Sequence, residues 1–137
     1  MIKALFDTNI ILDIALKRIP YFDNSARLFT FIDDNKLSGH VSATTITDIY
    51  YIAKSEKGHD KTLEFISNLI EIVEIIGVDR DVIEKAIKSE MKDFEDAIQV
   101  STAEFNDIDC VITRNKKDFN KSTIKIFTPE EFLETIK

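Results

Sequence analysis

Four short stretches of the chain carry side chains suited to hydrolytic chemistry: Asp7-Thr8-Asn9, Ser42 to Asp48, Asp93 to Asp96, and Thr113 to Asp118. Each acid has an ordinary role when taken alone. Asp7 would cap the helix that begins near Ile10, and Asp48 and Asp96 each stand about 200° around a helix from Ile46 and Phe94, on a face suited to solvent. The set says more than its members. If strands and helices alternate as their patterns predict, the four stretches meet at the carboxyl ends of parallel strands, where ligands collect in open α/β sheets. Carboxylates gathered there repel, at a cost of about 3 kcal/mol for two charges ~5 Å apart at an effective dielectric of 20. A divalent cation relieves that cost, and an all-oxygen donor set suits the hard ions Mg²⁺ and Mn²⁺.

Other chemistries lack their residues. His40 and His59 have no zinc-site spacing and are expected at the surface. Gly39, Gly58 and Gly77 are too far apart for a phosphate-cradling loop, and no Gly-x-Ser-x-Gly elbow occurs. The lone Cys110 lies in an apolar run, where a buried small hydrophobe is expected. A phosphatase of the haloacid dehalogenase type also starts with a strand ending in aspartate, but it needs a second acid two residues on, where this chain has Asn9.

The elements that must position the acids follow from hydrophobic period and breaker residues. Strands are predicted over Ile2–Phe6, Val41–Ala43, Ile72–Ile76, Cys110–Thr113 and Ile124–Phe127, with a turn over Asn35–His40. Helices are predicted over Ile10–Lys17, Pro20 to about Asp34, Thr45–Lys57, Asp60–Ile70, Asp81–Ser89 and Asp93–Phe105. Ile46, Ile49, Tyr50 and Ala53 are expected inward, as are Phe94, Ala97, Ile98 and Phe105. The segment Thr128-Pro129-Glu130-Glu131 carries a cap, a first-turn proline and a capping-box glutamate ahead of a terminal helix. This alternation predicts one α/β domain over residues 1–137 with a mostly parallel sheet.

Composition sets the bounds. The chain has 137 residues, 44% hydrophobic and 31% charged, with 25 acids against 18 bases for a net charge of −7. That balance opposes general electrostatic binding of nucleic acid. Arg114, Lys116, Lys117, Lys121 and Lys125, set against the single acid Asp118, nevertheless form a local basic segment. No stretch suits a signal peptide or a membrane span, so a cytoplasmic protein with no membrane partner is expected.

Leu5-Phe6-Asp7-Thr8-Asn9, Ser42-Ala43-Thr44-Thr45-Ile46-Thr47-Asp48, Asp93-Phe94-Glu95-Asp96-Ala97-Ile98 and Thr113-Arg114-Asn115-Lys116-Lys117-Asp118-Phe119 together resemble a PIN domain in order and spacing. The resemblance spans essentially the whole chain. It is strongest to the compact proteins related to VapC-type toxins of toxin–antitoxin pairs. It implies a three-layer fold with a central five-stranded parallel sheet flanked by helices, and metal-dependent hydrolysis of RNA phosphodiester bonds with Mg²⁺ or Mn²⁺. Asp7, Asp48 and Asp96 match the acids that hold the metal and serve catalysis, and the fourth place falls on Asn115 or Asp118. Thr8, Asn9, Ser42 and Thr113 match supporting polar residues, and Arg114, Lys116 and Lys117 are expected to contact RNA phosphates. Asp48 stands where many relatives have glutamate, and Asn115 where many have an acid. The resemblance also implies an antitoxin partner and a homodimer. The competing expectation is a non-catalytic module that binds protein or RNA.

Overall fold

The computed structural model describes residues 1–136. β1 (Ile2–Phe6) leads into α1 (Thr8–Ala15) and α2 (Phe22–Asp33), followed by β2 (Leu37–Ser42), α3 (Ala43–Lys57), α4 (His59–Ile72) and β3 (Glu74–Ile76). α5 (Arg80–Ile87) and α6 (Phe94–Phe105) precede β4 (Cys110–Ile112); a 3₁₀ turn at Lys116–Phe119 connects it to β5 (Lys125–Phe127) and α7 (Pro129–Ile136). All strand pairs are parallel, in the order β3-β2-β1-β4-β5. The five-stranded parallel sheet flanked by helices is therefore the one the sequence predicts.

Strand alternation divides the core in two. Ala4 and Phe6 of β1, Val41 of β2 and Cys110 and Ile112 of β4 join Ile10, Leu28, Ile49 and Phe132 from the helices on one face. Leu5 and Val111 point the other way, against Val100 and Ala103 of α6 and against Phe119. A smaller cluster of Val82, Ala86, Ala97 and Ile98 joins α5 to α6. Because the chain leaves β1 toward β2 on one side and returns through α6 to β4 on the other, the strand order reverses between β1 and β4. That switch point opens a crevice at the carboxyl edge of the sheet.

Local signals set the element ends. Gly58 adopts φ 83° between α3 and α4, a left-handed conformation that favours glycine. At α7 the capping box closes as predicted: the Glu131 amide donates to Thr128 Oγ1 at 3.2 Å, and the Thr128 amide to Glu131 Oε1 at 2.9 Å. Cys110 is buried, as expected.

Three expectations are corrected. The predicted turn at Asn35–His40 and short strand at Val41–Ala43 are one six-residue strand, Leu37–Ser42. Gly39, which resembles a breaker in the sequence, is there to admit its neighbours. A Cβ on it would stand 2.7 Å from both Ile32 Cδ1 and Phe6 Cε2. His40, expected at the surface, is buried within this strand with its Nδ1 3.1 Å from the Ser38 carbonyl oxygen. Phe94 and Phe105, expected inward, are 53% and 51% exposed. Residues Ala97 to Ala103 of α6 are buried all round, so the middle of the helix holds it in place and its aromatic ends stay half exposed.

Gly39→Ala is expected to cost about 1–3 kcal/mol, since the fully buried Phe6 ring has little room to yield. Urea unfolding would show it as a lower midpoint with an unchanged slope; an unchanged midpoint would refute the close-approach account.

Candidate functional site

Asp7 follows the last residue of β1, and its amide donates to the Ile112 carbonyl of β4 at 3.0 Å, which pins it at the switch point. Its carboxylate does cap α1, accepting the Thr8 amide at 2.8 Å. It also accepts the Thr113 hydroxyl at 2.7 Å and the side-chain amides of Asn9 and Gln99 at 3.3 Å each. The residue is only 8% exposed. Burial pushes its pKa up, and the donors and the charge of Asp93 modify that shift in opposite directions.

Around it opens a cavity of about 660 Å³, bordered by Asp48, Asp93, Glu95, Asp96, Asn115 and Asp118 as well as by Thr8, Asn9 and Gln99. Asp93 caps α6 by accepting the Asp96 amide at 2.9 Å, so that cap places Asp96 in the first helical turn. Partial burial, followed by the charges of Asp7, Asp93, Asp118 and Glu95, pushes the Asp96 carboxyl up to about 7. Asp48 and Glu95 are also raised, each chiefly by burial, with Glu95 further raised by Asp48, Asp93 and Asp7. The expected acids from distant parts of the chain thus share one cavity. Asn115 and Asp118 both reach it, and it is the charge of Asp118 that acts on Asp96.

The supporting polar residues form a connected network. Ser42 caps α3, with its Oγ accepting the Thr45 amide at 3.3 Å. Thr45 Oγ1 lies 3.2 Å from Ser42 Oγ and 3.2 Å from Thr8 Oγ1, and it accepts Gln99 Nε2 at 3.0 Å. Residue types and motifs do not single out Gln99 or Thr45 as members of this network. Gln99 lies three residues after Asp96, on the same helical face, and that spacing is the one signal that points to it. Asp93 and Glu95 lie in a stretch suited to the chemistry but outside the expected ligand set, and the structure adds both to the rim.

The basic residues lie elsewhere. Arg114 Nε donates to Asp13 Oδ2 at 2.6 Å and Nη2 to Asp13 Oδ1 at 3.1 Å, with Asp13 itself wholly buried. Lys116 pairs with Glu131 at 3.0 Å, and Lys117 borders a separate shallow cleft. None of the three borders the acidic cavity, so their expected phosphate contacts would have to be made outside it.

The donor chemistry fits a hard divalent ion. Gln99 Oε1 is buried with no hydrogen-bond partner, an acceptor suited to an ion-bound water. Among the described residues, no three His, Cys, Asp or Glu side chains stand close enough to hold an ion by themselves. Mg²⁺ is commonly held by one or two carboxylates with water completing its shell.

A family described as PIN domain matches residues 3–117. Ribonuclease VapC1 of Aquifex aeolicus (strain VF5) is 31% identical, covering 96% of this chain and 94% of that protein. A toxin–antitoxin complex from Klebsiella pneumoniae contains a chain 26% identical, with TM-score 0.70 over 92% of this chain and 97% of that one. VapBC2 from Rickettsia felis, solved bound to a promoter DNA fragment, shares the fold at 14% identity, with TM-score 0.71 over 93% and 98% of the two chains. Among the described residues, no helix is long and apolar enough to cross a membrane.

A folded-state pKa above the unfolded value means that stability is greatest below the ordinary carboxyl range and falls as pH rises through the folded value. For Asp96 the window runs from its ordinary 3.8 to about 7, and the upward shifts of Asp7, Asp48 and Glu95 act with the same sign. The metal-free protein is therefore expected to be less stable at about pH 8 than at about pH 5, and Asp96→Asn should narrow that difference. Carboxyl NMR showing Asp96 titrating near its ordinary value would contradict this.

Proposed function

The chain belongs to the PIN-domain family, and on that footing we propose that it is a single-domain, Mg²⁺- or Mn²⁺-dependent endoribonuclease acting as the toxin of a toxin–antitoxin pair. The observation that carries the catalytic reading is the gathering of Asp7, Asp48, Asp93, Glu95, Asp96 and Asp118 around one cavity at the β1/β4 switch point, where burial and then the neighbouring charges push the Asp96 carboxyl up to about 7. A natural sequence retains such a destabilising cluster when a bound cation uses it. The ribonuclease name of the Aquifex relative supports RNA as the substrate, and the toxin–antitoxin complex in which the Klebsiella chain stands supports an antitoxin protein as partner.

Asp7 and Asp96 are the proposed direct ligands. Asp48 and Asp118 complete the negative field, and Asn115 offers a neutral oxygen at the same rim. When bound, the ion would activate water and neutralise charge developing on the phosphate. The chain's own contribution is orientation. Thr113, Gln99, Asn9 and the Thr8 amide fix both oxygens of Asp7, so its lone pairs are aimed before any substrate arrives. Gln99 Oε1, buried without a protein partner, would accept a hydrogen bond from an ion-bound water, and the Gln99 amide is held by its bond to Thr45 Oγ1. In the hydrolysis, water oxygen bonds to phosphorus as a phosphorus–oxygen ester bond breaks, and the leaving oxygen takes up a proton.

With a fluorescent RNA and Mn²⁺, Asp7→Asn and Asp96→Asn should each lower cleavage by more than the ~10–100-fold typical of residues that only support ligands. A chelator should abolish wild-type activity. Mn²⁺ should also raise the melting temperature of the wild type but not of either variant. Undiminished cleavage by both folded variants would remove the assignment.

A further inference from the structure

A second cleft of about 460 Å³ adjoins the acidic cavity, with Asn115 in the wall of both. It is bordered by Tyr21, Asn24 and Ser25 of the α2 region, Arg114 after β4, and Glu130 of α7. Its chemistry differs from that of its neighbour. Arg114 is bound two-fold to buried Asp13, with Arg18 3.8 Å from the same carboxylate, and among the described lining residues Arg114 is the one base and Glu130 the one acid. Arg114 uses two of its five N–H groups on Asp13, and among the described residues its other three have no protein acceptor. Its guanidinium carbon sits 3.9 Å from the Tyr21 ring centroid, which fixes its plane.

Ser25 adds an independent observation. It is wholly buried in the cleft wall, and its Oγ has no hydrogen-bond partner. A buried hydroxyl without a partner costs free energy that a bound acceptor would recover. Together with the Asn24 carboxamide and the spare Arg114 donors, it forms a donor set suited to an anion with several oxygens. Glu130 is exposed at the rim, where solvent and salt weaken its repulsion.

We propose that this cleft is a phosphate subsite: it holds the RNA phosphodiester next to the one being cleaved, with Arg114, Asn24 and Ser25 as positioning residues. This rests on the ribonuclease reading above. It also resolves a difficulty of that reading, since the acidic cavity alone repels the strand it must receive. Neutral Asn115 stands at the junction of the ion site and the cleft that holds Arg114.

Arg114 is unsuitable as the test position, because its removal would strip buried Asp13 of its main partner. Asn24→Ala and Ser25→Ala avoid this, and loss of an unpaired hydroxyl should leave stability unchanged or higher. Cleavage would be followed in Mn²⁺ on a hexaribonucleotide with one scissile site, and on versions in which single flanking phosphates are replaced by neutral methylphosphonate. For the wild type, neutralising one particular flanking phosphate should lower kcat/KM about tenfold or more, as expected for charge-assisted hydrogen bonds. The Asn24→Ala and Ser25→Ala variants should lose activity on the all-phosphate RNA, chiefly in KM, and become less sensitive to that replacement than the wild type. Equal losses on every substrate would mark a structural effect and overturn the subsite, as would wild-type rates in both variants. If the wild type cleaves no RNA while folded and metal-loaded, the ribonuclease reading itself fails, and the subsite with it.

Discussion

Burying one ionisable carboxyl group at the centre of the sheet dictates how the surrounding site is built. Asp7 cannot be placed at the β1/β4 switch point without donors to replace lost water, because an unpaired buried charge costs several kcal/mol. The fold supplies four donors from three places: the Thr8 amide and Asn9 side chain in the first turn of α1, Thr113 after β4, and Gln99 of α6. Each donor belongs to an element that must be correctly docked for the bond to form. Both faces of the sheet are thereby tied to one carboxylate.

Around that fixed point the structure tolerates conflict. The charges of Asp7, Asp93, Asp118 and Glu95 raise the proton affinity of Asp96, and those of Asp48, Asp93 and Asp7 raise that of Glu95, each in addition to the effect of burial. The fold is thus locally less stable than a neutral replacement would make it, a compromise common at functional sites. Rigid support limits the damage. The network from Ser42 through Thr45 to Gln99 and Asp7 links the N-termini of α3 and α1 to the middle of α6, so repulsion is borne by packed elements rather than by mobile loops.

The buried Asp13–Arg114 pair is the counterpart on the other side of α1. It attaches the segment leaving β4 to a helix about a hundred residues earlier in the chain, and the bond from the Arg114 amide to Asn9 Oδ1 at 3.3 Å reinforces that attachment. The basic segment that stands out in the sequence is consequently split. Arg114 becomes part of the frame, Lys116 joins the α7 capping residue Glu131, and the acidic cavity keeps its negative field.

Most strands and helices are legible from residue order alone, as is the gathering of Asp7, Asp48, Asp96 and the stretch from Asn115 to Asp118 at a common sheet edge. Period, caps and short motifs are local properties, and parallel alternation alone brings strand ends together. The extent of β2 is not legible in this way, because the meaning of Gly39 depends on Ile32 and Phe6 packing over it. Nor is the exposure of Phe94 and Phe105, because α6 is held by a fully buried middle that periodicity does not distinguish from a stripe. Three outcomes belong to the folded chain: Gln99 and Thr45 complete the support of Asp7, Arg114 serves Asp13, and Ser25 keeps an unpaired hydroxyl. They depend on which side chains from remote segments meet within hydrogen-bond distance, and a one-dimensional pattern of residue types carries no measure of that distance.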